Sequence, residues 1–231
     1  MIDLVILTGA GISAESGLAT FRDAGGLWEG HRPEEVATPE AFARDAALVH
    51  RFYNARRKGA AEARPNAAHE ALARLQAALG ERMLLVTQNV DGLHEAAGHE
   101  GVLHMHGALA RASCASCAAK WEAPMVMAPS DPCPSCGDAQ TRPDIVWFGE
   151  MPQEMDRIYA ALAGARHFAS MGTSGTVYPA AGFVDVAASY GAECWEVNLE
   201  ASGNPNFDTV VTGPATEAVP EWCARIEAAL T

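Results

Sequence analysis

The sequence predicts an α/β fold: a doubly wound parallel sheet of Rossmann-like kind, interrupted by a helical insertion and a small cysteine-rich module. Three observations predict it. Short apolar runs of β character alternate with helix-prone stretches, a glycine-rich turn follows the first run, and four cysteines arranged as two CxxC pairs break the alternation. Nearly continuous apolar strands separated by helices belong to a parallel sheet covered on both faces, and their alternation marks the α/β class.

The expected strands are Leu4-Val5-Ile6-Leu7, Met83-Leu84-Leu85-Val86, Ile145-Val146-Trp147-Phe148, His167-Phe168-Ala169-Ser170-Met171 and Cys194-Trp195-Glu196-Val197. Helices are expected over 67–79, 153–163 and 179–188. Residues 31–65 are helix-prone, with Phe42, Leu48, Phe52 and Tyr53 apolar, while 108–142 hold the cysteines and prolines and little that builds a core. The second stretch is too short to fold without a metal. The expectation is one domain over 1–231: a core of about 1–30, 66–107 and 143–231, a helical insertion at about 31–65, and a metal module at about 108–142.

At 231 residues and 49% hydrophobic content the chain can bury a full core. The start, Met1 to Leu7, lacks a basic leader region, and no apolar stretch reaches the roughly 18 residues of a membrane span. A soluble, cytoplasmic monomer with no membrane association and no regulatory extension before the first strand is expected. The net charge of −13, from 29 acids against 16 bases without a Lys/Arg block, argues against direct nucleic-acid binding. The acidic surface reads as a solvated face, or as one that attracts lysine-rich proteins.

Cys114, Cys117, Cys133 and Cys136 form C-x2-C-x15-C-x2-C. Two CxxC turns supply the four thiolates of a closed tetrahedral Zn2+ shell, a folding staple with no open position for substrate; a redox pair is the alternative. Cys194 and Cys223 remain as reduced core thiols.

Gly9-Ala10-Gly11-Ile12-Ser13-Ala14 fits G-x-G-x-x-G/A after the first strand. Such a turn lets backbone approach a pyrophosphate, or is simply tight. No second strand ending in an acidic residue follows within 18–40, which disfavours hydride transfer. Instead Thr20 to Trp28, a Gly-rich loop bearing Arg22, looks like a cover over a cofactor. Thr87-Gln88-Asn89-Val90-Asp91-Gly92-Leu93-His94 follows the second strand, where doubly wound sheets hold ligands, although Asn89 or Asp91 could equally cap the next helix. In strand alternation His104 and His106 share a face. His106, before Gly107, reads as a packing residue or as a general base near neutral pH. Gly172-Thr173-Ser174 and Asn198-Leu199-Glu200 lie at later strand ends, suited to ribose or to turns.

Together these motifs resemble, in order and over essentially the whole chain, the sirtuin family of NAD-dependent protein-lysine deacylases, closest to its bacterial CobB type. The motifs are Gly9 to Ser13, Thr20-Phe21-Arg22, Thr87 to Asp91, His106-Gly107, the four cysteines, Phe148-Gly149-Glu150, Gly172 to Ser174 and Asn198 to Glu200. The resemblance implies NAD+ as co-substrate and structural Zn2+. It implies that Gly9, Ala10, Gly11 and Ser13 meet the pyrophosphate side and Arg22 the cofactor loop. Gln88, Asn89 and Asp91 line the nicotinamide end, with Asn89 and Asp91 counted with His106 as catalytic. Gly172, Thr173, Ser174, Asn198, Leu199 and Glu200 hold the adenosine side, and Ala215 lies near the adenine. His106 is the implied general base, and Phe148 and Gly149 receive the substrate backbone as an added strand. The implied reaction starts with attack of the acyl oxygen on the ribose as nicotinamide leaves. It ends with free lysine and O-acyl-ADP-ribose.

Tyr53 and Arg56 stand at i and i+3 of a predicted helix. A phenol beside a guanidinium is a carboxylate receptor; without the resemblance the pair reads as a packed tyrosine and a solvated arginine. Tyr-x-x-Arg at this place implies a sirtuin that accepts succinyl- and malonyl-lysine as well as acetyl-lysine. Arg57 and Lys58 are expected at the surface, and Ala19, Ala24 and Ala55 are candidates for an acyl channel. The competing readings are deacetylation alone, an NAD-binding regulatory module, a zinc-containing interaction module, and mono-ADP-ribosyl transfer.

Overall fold

The computed structural model describes residues 2–19 and 30–230. Its elements in chain order are β1 (Leu4–Thr8), α1 (Gly11–Ala14), α2 (Pro33–Val36), α3 (Pro39–Arg44), α4 (Ala46–Glu62), α5 (Ala67–Leu79), β2 (Met83–Thr87), α6 (Leu93–Ala96), β3 (Leu103–His104), β4 (Gly107–Cys114), β5 (Lys120–Glu122), β6 (Thr141–Ile145), α7 (Met155–Gly164), β7 (His167–Met171), α8 (Phe183–Ser189), β8 (Glu193–Asn198), β9 (Thr209–Thr212) and α9 (Ala215–Leu230).

Six strands form one parallel sheet in the order β3-β2-β1-β7-β8-β9. Counted among themselves they run 3-2-1-4-5-6, so the winding reverses between β1 and β7, and ligands of such sheets bind outside the carboxyl ends at that reversal. Successive residues of β1 feed opposite cores, as strand alternation requires. Leu4 and Ile6 pack with Leu72 and Leu75 of α5 and Trp222 and Ile226 of α9. Val5 and Leu7 pack with Ile158 and Leu162 of α7 and Phe183 of α8. This two-sided burial explains why β1 and β2 are apolar along nearly their whole length. Among the described residues no helix is long and apolar enough to cross a membrane.

The expected strand at 145–148 is not part of the parallel sheet. Its first residue, Ile145, ends β6, which pairs antiparallel with β4 in a separate three-stranded sheet of order β5-β4-β6. Ile145 and Trp147 are apolar because they pack with Val36, Val49, Phe52 and Tyr53 of the helical segment. Two short strands complete the parallel sheet instead. β3 is two residues long, and β9 is an edge strand whose burial alternates, so neither shows a long apolar run.

Arg57 also departs from expectation: it is buried. Val49, Tyr53 and Arg57 fall on one face of α4, which the helix turns inward. The guanidinium is satisfied there by the carbonyls of Leu109 at 2.7 Å and Met125 at 3.2 Å and by Asn54 Oδ1 at 2.9 Å. Asn54 in turn exchanges two bonds with the Met127 main chain. Lys58 is exposed as expected.

Candidate functional site

The carboxyl ends of β1, β2, β7 and β8 open onto a cavity of about 790 Å3, walled on the far side by α4 and the segment after β6. On the β1 side the wall is main chain. A Cβ on Gly9 would lie 2.7 Å from Thr173 Cβ and 2.8 Å from the Gly172 oxygen, and one on Gly11 would lie 2.8 Å from that oxygen. Gly11 N–H donates to the same carbonyl at 2.8 Å. Both glycines are therefore required for the β1 turn to seat on the β7 turn, independently of any ligand.

A buried polar network backs this wall. Asn89 Nδ2 donates to Ser13 Oγ at 3.1 Å, and Ser13 Oγ donates to Asp91 Oδ2 at 3.2 Å. Asp91 Oδ1 accepts from Leu93 N at 3.1 Å, so Asp91 serves both the start of α6 and the cavity wall. Burial raises its carboxyl above the usual range, against the two hydrogen bonds that favour the ionised form. Gln88 Nε2 donates to Thr173 Oγ1 at 3.0 Å, and Asn198 Nδ2 to the Thr173 carbonyl at 2.8 Å, joining the ends of β2, β7 and β8.

His106 lines the cavity, with Nδ1 3.2 Å from the Gln88 carbonyl oxygen. A carbonyl only accepts, so Nδ1 carries the proton and Nε2 keeps its lone pair. Burial pushes the imidazole below its ordinary value, partly offset by that hydrogen bond. His104 does not share this setting: it bonds the Asn89 carbonyl and Glu95 and does not line the cavity, because regular strand geometry ends at His104 itself. Gly107, at φ +79°, crosses β6 so closely that a Cβ would collide with the Asp144 carbonyl oxygen.

On the α4 side, Tyr53 and Arg56 both line the cavity. Tyr53 is fully buried, and its Oη accepts from Trp147 Nε1 at 3.1 Å. The Arg56 guanidinium carbon lies 5.8 Å from the Phe52 ring centroid. Phe148 and Gly149 form the lip. They belong to a turn closed by Glu150 N to the Trp147 carbonyl at 3.0 Å, and Phe148 N is given to the Ala37 carbonyl. The lip is thus a turn with limited free main chain, not an extended edge.

Ala10, Gly172, Ser174, Asn198, Leu199 and Glu200 also line the cavity. Ala215 does not; it begins α9, packed against the sheet core. Ala19 lines the cavity, whereas Ala55 is exposed on α4. Arg22, with Thr20, Phe21 and Ala24, lies outside the described residues. Sequence reading missed Trp147 and Tyr178 of the lining and His69, whose Nε2 lies 3.4 Å from Ser13 Oγ behind it. The tryptophan beside Phe148-Gly149-Glu150 was its only visible signal.

The four cysteine sulfurs lie within 4.8 Å of one another, with Cys114 to Cys136 and Cys117 to Cys133 each at 3.7 Å. A tetrahedron with Zn–S bonds of about 2.3 Å has edges of about 3.8 Å. The residues fit one closed Zn2+ shell, and the cluster lies apart from the cavity lining.

The model of the Sir2 family matches residues 9–179. An NAD-dependent protein deacylase of Caulobacter vibrioides is 53% identical, covering 100% of this chain and 99% of that protein. One of Escherichia coli strain K12 is 54% identical over 96% of this chain and 81% of its own length. Among solved structures, a Sir2 homologue in complex with NAD is 40% identical with a TM-score of 0.88, covering 99% of this chain and 90% of that one. Sir2Af2 bound to a myristoylated histone peptide is 29% identical with a TM-score of 0.74, covering 98% and 93%. The chain belongs to the Sir2 family.

Proposed function

We propose that the protein is an NAD-dependent protein-lysine deacylase that removes succinyl and malonyl as well as acetyl groups from lysine, releasing nicotinamide and O-acyl-ADP-ribose. The observation that carries this reading is one cavity lined at once by the glycine turn, Asn89, Asp91, His106, Tyr53 and Arg56. Relatives at 53–54% identity that bear the name NAD-dependent protein deacylase support its first half.

NAD+, when bound, supplies an electrophilic ribose carbon with nicotinamide as its leaving group. The chain's own residues do the rest. Gly9, Ala10 and Gly11 form the floor beside the phosphates, and Thr173, Ser174, Asn198 and Glu200 take the adenosine side. Gln88, Asn89 and Asp91 hold the nicotinamide and its ribose; the bonds through Ser13 keep Asn89 and Asp91 oriented before substrate arrives, and Thr173 does the same for Gln88. His106 takes a ribose hydroxyl proton at Nε2, since its other nitrogen is committed to the Gln88 carbonyl. Arg56 meets the carboxylate of a succinyl or malonyl group, and Tyr53 adds a hydrogen bond. The cysteines would hold Zn2+ as a brace that keeps β4 in place directly after His106, with no chemical step of its own.

Deacetylation alone is a narrower reading, favoured by one observation: Tyr53 presents no surface to solvent. Arg56→Met separates the two. On matched peptides the succinyl-to-acetyl ratio of kcat/KM falls roughly 30-fold or more if a buried carboxylate loses its countercharge. An unchanged ratio leaves the deacetylase and removes the carboxylate receptor.

A further inference from the structure

We infer that Trp147 is a positioning residue that fixes Tyr53 as a hydrogen-bond donor toward acidic acyl groups; the inference rests on the reading that the cavity accepts such groups.

Trp147 is buried in the cluster beneath α4, and its indole is held in one orientation. The Arg142 guanidinium stacks 3.4 Å from the indole ring centroid. That guanidinium is itself fixed by bonds of 2.7 and 2.9 Å to Glu150 and by a bond of 2.8 Å to the Ile145 carbonyl. Glu150 Oε2 also accepts from the Trp147 main-chain N at 2.8 Å. The indole N–H consequently has one direction available, and it ends 3.1 Å from Tyr53 Oη.

An indole nitrogen donates and never accepts, whereas a phenol oxygen does both. The direction of this bond is therefore settled: Tyr53 accepts, and its own proton is not used by Trp147; because the phenol is fully covered, an acidic acyl group reaches that proton only by displacing part of the lining. Among the described residues this is the one hydrogen bond Tyr53 makes. Burial also raises the phenol well above its ordinary value, which keeps the proton on the oxygen. Tyr53 and Arg56 stand about one helical turn apart on the same cavity. A phenol with its proton uncommitted and a guanidinium favour a carboxylate at the end of a short acyl chain and offer nothing to an acetyl methyl. Had residue 147 offered an acceptor, the phenol proton would be consumed there and its oxygen would face the substrate carboxylate unfavourably.

The test is steady-state kinetics of Trp147→Phe, Tyr53→Phe and the double variant on matched succinyl- and acetyl-lysine peptides. In Trp147→Phe the succinyl-to-acetyl ratio of kcat/KM is expected to fall roughly three- to tenfold, through KM and not kcat. In the Tyr53→Phe background the same change is expected to lower the ratio no further. Equal loss on both substrates, or losses that multiply in the double variant, overturns the inference. Should Trp147→Phe fold poorly, Tyr53→Phe in 15N-tryptophan-labelled protein decides: one indole N–H resonance moves on losing its acceptor, and five unmoved resonances overturn the inference. A ratio that responds to Arg56→Met but not to Trp147→Phe removes the positioning role alone. A ratio that responds to neither removes the acidic-acyl reading beneath it.

Discussion

The two walls of the cavity are built from different material. The β1–β7 wall is main chain locked against main chain, with Gly9 and Gly11 pressed on Gly172 and Thr173 so tightly that no Cβ fits. The α4 wall is a stack of side chains, Tyr53 on Trp147 on Arg142 on Glu150. A main-chain wall offers the same surface to every substrate and tolerates almost no change. A side-chain wall can be altered one group at a time, and in the proposed function it is where a choice between acyl groups is made. Substitutions in the first wall should therefore affect all substrates alike, and substitutions in the second should change their ratio.

His106 lines the same cavity from the Gln88 main chain, and in the proposed mechanism its loss should have the largest effect. His106→Ala is expected to lower kcat on both peptides by roughly 10²- to 10⁴-fold while NAD+ affinity is largely kept. Single-turnover assays with calorimetric NAD+ titration would check this, and full activity would remove His106 from the mechanism. Next, Gly11→Ala drives a methyl against the Gly172 carbonyl. Overpacking of this kind costs roughly 1–3 kcal/mol, so thermal unfolding should shift down and both activities fall together. A selective loss on one acyl group would contradict the division between walls. The Arg56→Met ratio change comes third and belongs to the α4 wall alone.

The smallest expected effect is on pH dependence. For His106 in the proposed role of base, the competent form is the neutral imidazole, present above its pKa, and burial lowers that pKa from the ordinary 6.5. kcat/KM should therefore rise with pH to a plateau, with the acid-limb midpoint below 6.5 for both acyl groups. A midpoint above 6.5 that disappears in a His106 variant would contradict the assigned environment.

The central strands were legible because they are buried on both faces, so Leu4 to Leu7 and Met83 to Val86 show continuous apolar runs, and Cys194 to Val197 is broken only by the buried Glu196. The helix at 67–79 was equally plain; its cap, Asn66, came only with the structure. Misreading began where an apolar run packs against something other than the sheet. Ile145 and Trp147 are apolar for the sake of α4, and a run of four residues cannot say which surface it serves. The cysteine spacing marked the metal cluster, because four thiolates leave few other arrangements. Arg57 was missed because a buried guanidinium is satisfied by carbonyls 52 and 68 residues away. Trp147 was missed for a related reason: the direction of its N–H depends on Arg142 and Glu150, which come together only in the folded chain. The sequence motifs named the chemistry, and folding supplied the orientation of the groups that carry it.

The central claim is that one cavity joins NAD-dependent chemistry to a carboxylate receptor. Mass spectrometry of matched succinyl- and acetyl-lysine peptides, incubated with zinc-replete protein with and without NAD+, tests it most directly. NAD+-dependent loss of both acyl groups, with O-succinyl-ADP-ribose formed alongside O-acetyl-ADP-ribose, is the predicted result. Loss of acetyl alone would contradict the receptor formed by Tyr53 and Arg56, and loss of neither would contradict the deacylase itself.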